Sequence, residues 1–179
     1  MKSSLTSRLS IAGVLLATLG LPAAASAQYQ LPTVVSTAKA DSLHEAAVAL
    51  VAAHRWRDAA RLHRRSAELR GAEDPLGFRC LTDAASLAYA TGDRSGARND
   101  KAAAASQALA RGDLRDAAMS YLDAAWIAQE QKNPRQVWEL GHRAEMLADS
   151  PFLGPSDRAD ILRRINRGSA TQLAMQVKP

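Results

Sequence analysis

Residues 112–124 read Gly-Asp-Leu-Arg-Asp-Ala-Ala-Met-Ser-Tyr-Leu-Asp-Ala, and the reading of this stretch decides the fold. A glycine-aspartate turn opens onto a run in which apolar and small residues recur at helical spacing, with Ala117-Ala118 and Ala124-Ala125 as adjacent small pairs. Paired small side chains let a second helix approach closely, and glycine tolerates the left-handed backbone that reverses a chain between helices. The stretch therefore predicts a helix whose partner packs at short range.

Working outward, the same pattern returns twice. Leu43-x2-Ala46-Ala47-x2-Leu50, Leu81-x2-Ala84-Ala85-x2-Ala88 and Tyr121-x2-Ala124-Ala125-x2-Ala128 are separated by 38 and then 40 residues. Those offsets also relate Ala59, Ala97 and Val137, and the turn positions His54, Gly92 and Lys132. Three features sharing two offsets make an internal repeat of helical hairpins. Punctuation agrees: Gly71 with Pro75, Gly92-Asp93, Gly112-Asp113 and Asn133-Pro134 are helix stops and starts. No alternating run long enough for a strand occurs, so the expected class is all-α, an array of antiparallel helical hairpins with about six core helices and a short last helix, residues 157–167. Ser42-Leu43-His44-Glu45 has the form of a capping box and predicts the start of the first helix.

A large residue, two adjacent small residues, a turn glycine and a second helix beginning A-x3-aromatic-x2-A resemble the tetratricopeptide repeat, over residues 42–150. The period is longer than the family's usual 34, and Gly112 falls between hairpins when helices are paired one with two, three with four and five with six. The resemblance implies an α-solenoid that holds a peptide or protein segment on a groove lined by the first helix of each hairpin. Carried onto this chain, the groove positions are His44, Val48, Val51, Arg79, Thr82, Ser86, Tyr89, Met119, Leu122, Trp126 and Gln129. For Trp126, packing in the core is the alternative reading.

The amino end carries Lys2 and Arg8, an apolar run from Ile11 to Leu21, and Ala25-Ser26-Ala27 before Gln28. This is the layout of a cleavable signal peptide over residues 1–27, and the apolar run is about half the roughly 20 residues of a membrane-spanning helix. The expected organisation is that signal, a linker or flexible arm at 28–41, a helical repeat domain at 42–167 and a polar tail at 168–179. Export to a bacterial periplasm or the exterior follows, with no membrane span after cleavage.

Without Lys2 and Arg8 the formal charge falls from +5 to about +3, too little to argue for nucleic acid. It leaves weak contact with an acidic envelope surface open. Arg57, Arg61, Arg64 and Arg65 form a basic stripe on the second helix, either a solvated face or that contact. One cysteine, Cys80, allows no internal disulfide, and its apolar neighbours Phe78 and Leu81 predict a buried, inert thiol. His44, His54, His63 and His142 stand at no i, i+4 spacing, so no metal-ligand pair, cofactor or catalytic group is expected. The sequence thus predicts a non-enzymatic protein- or peptide-binding module; a structural subunit of an envelope complex is the alternative, and an enzyme the third.

Overall fold

The computed structural model describes residues 30–176, with side chains over 36–168. Among them are seven helices and no strand: α1 Gln30–Ala52, α2 Trp56–Arg70, α3 Pro75–Ala90, α4 Arg94–Ala110, α5 Leu114–Glu130, α6 Pro134–Ala148 and α7 Pro155–Gln176. Each helix from α1 to α6 packs against the next, and α7 folds back onto α5 and α6. This is the all-α array of hairpins that the repeat predicts. The signal-peptide reading falls on residues outside those described.

Helix starts are local chemistry. Asp74 accepts a hydrogen bond from the Leu76 amide at 2.8 Å with Pro75 at the first helical position, and Asp93 accepts one from Gly96 at 2.8 Å. Asn133 does the same for Gln136 at 3.2 Å, ahead of Pro134. Asp113 makes no such cap; Arg111 engages its carboxylate at 3.1 Å instead.

Two boundaries differ from the sequence reading. Residues 30–41, expected within the linker, belong to α1, so Ser42 lies mid-helix and cannot cap. Contact with α2 supplies the reason: Ser66 Oγ donates to the Ala40 carbonyl at 2.7 Å, Ser36 Oγ donates to Leu69 at 2.8 Å, and Ala40 is fully buried. Packing, rather than local propensity, extends the helix. Likewise α7 continues to Gln176, through most of the expected tail.

Four turns share one geometry. Residues His54, Gly92, Gly112 and Lys132 take φ of 57°, 84°, 78° and 55°. In each, the following amide reaches back to a carbonyl in the last helical turn: Arg55 to Leu50, Asp93 to Ala88 and Asp113 to Ala108 at 2.9 Å, and Asn133 to Ala128 at 3.0 Å. This is the left-handed helix stop with its six-to-one bond. A non-glycine residue there costs about 1 kcal/mol. His54→Gly and Lys132→Gly should therefore each raise the thermal midpoint by a few degrees. Gly112→Ala should lower it, through torsion only, because nothing lies within 4 Å of the added Cβ. A midpoint unmoved by all three would contradict the reading.

The turn at Gly112 matches those within hairpins, so the underlying unit is finer than the hairpin. Ala84, Ala104, Ala124 and Ala144 are all fully buried, and Ala88, Ala108, Ala128 and Ala148 are at most 2% exposed. Single helices thus repeat every 20 residues from α3 to α6. The core is built mostly from alanine; Ile161, Cys80 and Ser66 are its largest fully buried side chains.

Candidate functional site

Helices α3, α5, α6 and α7 enclose a cleft of about 1010 Å³. The repeat places Ser86 and Tyr89 of α3 beside Leu122, Trp126 and Gln129 of α5, all lining it. Trp126 is 52% exposed, which places it on the surface and excludes the core alternative. Its indole lies against the Tyr89 ring with centroids 5.5 Å apart. Tyr89 is fixed in turn: its hydroxyl donates to the Glu130 carboxylate at 2.9 Å, and the Arg94 guanidinium sits 3.5 Å over the ring centre. Lost hydration and then the Glu130 hydrogen bond raise the phenol above its ordinary pKa.

The opposite wall was not legible in the sequence. Val137, Trp138, His142 and Glu145 of α6 and Arg164 and Ile165 of α7 complete the cleft. Trp138 is 67% exposed and stacks on the His142 ring at 5.2 Å. Asp123, which also lines the cleft, pairs with Lys101 at 2.9 Å and with Arg164, tying α7 to α5. An assignment restricted to the first helix of each hairpin passes over α6, and the exposure of Trp138 follows from the packing of α6 rather than from its sequence.

Six predicted groove residues lie elsewhere. Val48, Val51 and Arg79 are exposed outside the cleft, Thr82 Oγ1 is turned onto the Phe78 carbonyl at 3.1 Å, and Met119 packs half-buried against the core. His44 joins a different cluster, described below. The basic stripe is largely neutralised: Arg61 pairs with Asp58 at 2.8 Å, Arg65 with Glu68 at 2.7 Å and Arg64 with the buried Asp100 at 2.9 Å, while Arg57 is exposed. The hydrogen bond from Arg55, then the charges of Arg55 and Arg61, holds the Asp58 carboxyl below its ordinary range. Charges matched in this way make a solvated face.

The expectation of no metal-ligand group needs correction. Cys80 is buried as predicted, yet one nitrogen from each of His44 and His63 and the Cys80 sulfur lie within 4.8 Å of one another. They come from α1, α2 and α3, a juxtaposition that a search for pairs on one helix cannot see. Burial lowers the His63 pKa and raises that of the Cys80 thiol, in each case disfavouring the charged form.

Among the described residues no helix is long and apolar enough to cross a membrane. Comparison with protein-family models, curated proteins and solved structures finds no match to this chain.

Proposed function

We propose that this chain is an exported, tetratricopeptide-like module that binds a protein or peptide segment in the cleft between α3, α5, α6 and α7. The observation that carries the reading is the pair of exposed indoles, Trp126 and Trp138, in a cleft of about 1010 Å³. Exposed aromatic rings beside a few fixed polar groups are the usual anchors of an interface, because they bury much apolar area at little cost in side-chain entropy. Glu145, Gln129 and Arg164 supply polar contacts around them. A volume of this size stands at the upper end of small-molecule clefts and has room for a short peptide segment. Export rests on the basic, apolar and Ala25-Ser26-Ala27 sequence at the amino end.

Panning a display library of random peptides on the purified protein tests the binding role. Enriched sequences should carry an aromatic or aliphatic anchor. The double variant Leu122→Ala/Trp126→Ala should bind them at least tenfold more weakly, with helicity unchanged by circular dichroism. Enriched peptides that bind the double variant equally well would place the interface elsewhere, and an absence of enrichment would count against the module altogether.

A further inference from the structure

The cluster of His44, His63 and Cys80 has the composition of a transition-metal site. Two imidazoles and a thiol are the donor set for borderline-to-soft ions, zinc(II) and copper(I) among them, and they exclude magnesium and calcium, which take oxygen ligands. Cys80 is fully buried and His63 is 2% exposed, whereas His44 is half-buried and leaves a side from which an ion enters.

One edge of the cluster has the spacing of a loaded site. Cys80 Sγ stands 3.5 Å from His44 Nδ1. Across a tetrahedral zinc ion with bonds of about 2.3 Å to sulfur and about 2.0 Å to nitrogen, those atoms would be about 3.5 Å apart. The rings of His44 and His63 are tilted toward each other with centroids 5.3 Å apart. His63 also has a buried Nδ1 with no hydrogen-bond partner, an uncompensated polar atom that close packing ordinarily eliminates.

Outer groups hold the sulfur in place. Cys80 Sγ donates to Ser66 Oγ at 3.6 Å, Ser66 is held by the Ala40 carbonyl at 2.7 Å, and Arg70 Nε donates to the same serine oxygen at 3.3 Å. Arg70 is in turn fixed by Asp41 and by Asp74 at 3.0 Å. The serine, which accepts from the thiol, fixes the position of the sulfur, and the Arg70 guanidinium nearby favours the thiolate.

The geometry points to a mononuclear site for zinc(II) or copper(I), ligated by His44, His63 and Cys80 and joining α1, α2 and α3. Binding forms two metal–nitrogen bonds and one metal–sulfur bond, and the thiol proton leaves to solvent. The site lies away from the cleft and is independent of the binding role proposed for it.

Cobalt(II), added to the purified, reduced and chelator-treated protein, reports on the thiolate directly. One equivalent should produce a sulfur-to-cobalt charge-transfer band in the near ultraviolet. Cys80→Ser should abolish the band, and His44→Gln/His63→Gln should abolish or grossly weaken it, each variant keeping wild-type helicity. Competition against chromophoric chelators, with zinc(II) in one arm and copper(I) under reductant in the other, should give one ion per chain in at least one arm, tighter than about 1 μM. The favoured ion should raise the thermal midpoint of the wild type but not of Cys80→Ser, and magnesium should do neither. No band in the wild type, a band retained by the double histidine variant, or binding weaker than micromolar in both arms would overturn the assignment.

Discussion

Arg64→Met should lower the unfolding free energy by about 3 kcal/mol and the thermal midpoint by roughly 10 °C. Arg64 Nε donates to both oxygens of Asp100 at 2.9 Å, joining α2 to α4, and the Asp100 side chain is only 9% exposed. Removing the cation leaves a carboxylate with little water and no countercharge. Burial already pushes the Asp100 carboxyl above its ordinary range, with Arg64 opposing. A carboxyl raised in the folded state favours the protonated form there. Its penalty is therefore full above the folded pKa and disappears as pH falls below the unfolded value of about 4. The deficit of Arg64→Met should accordingly shrink between neutral pH and about 4, and Arg64→Met/Asp100→Leu should recover most of it. Denaturant unfolding at several pH values checks both statements; a deficit independent of pH would show that the buried charge is not its cause.

Ile161→Ala should be of similar size, about 2 to 4 kcal/mol, but local. Ile161 is fully buried on α7 and packs with Tyr121, Leu140, Ala144 and Leu153. Apart from the half-buried Ile165, which packs against the same core, the ties of α7 are polar: Arg115 to Asp157 at 3.2 Å, Arg164 to Asp123, and Arg158 to the Ala148 and Ser150 carbonyls at 2.9 and 2.7 Å. Exposed ion pairs contribute little each, so without the isoleucine α7 should undock before the rest of the array unfolds. Hydrogen exchange would show this as fast exchange in α7 with protection kept in α3 and α4. Peptide binding should fall as well, since Arg164 and Ile165 line the cleft. Equal loss of protection in α3 and α7 would mean a single cooperative unit.

Most helix ends were legible because they are local chemistry: Pro75, Pro134, Gly71, Gly92 and Gly112 all stand where the chain turns. The turn alignment of His54, Gly92 and Lys132 also carries through to three positive φ values. The start of α1 was not legible, because what holds residues 36–41 helical is a surface of α2 that no short window contains. The exposure of Trp126 depended on the register between helices, which the high alanine content leaves weakly marked. The histidine–cysteine cluster did leave a trace. His44, His63 and Cys80 are spaced by 19 and 17 residues, close to one helix plus its turn, and in an array of antiparallel neighbours that spacing brings side chains together.

Because every helix from α1 to α6 meets its immediate successor, native contacts span only short loops of chain. The low contact order of such a topology predicts folding in microseconds to milliseconds, without a slow search for distant partners. A chain emerging amino end first, from a ribosome or through a narrow pore, can add each helix to a surface already formed. Only α7 must wait, since it closes onto both α5 and α6.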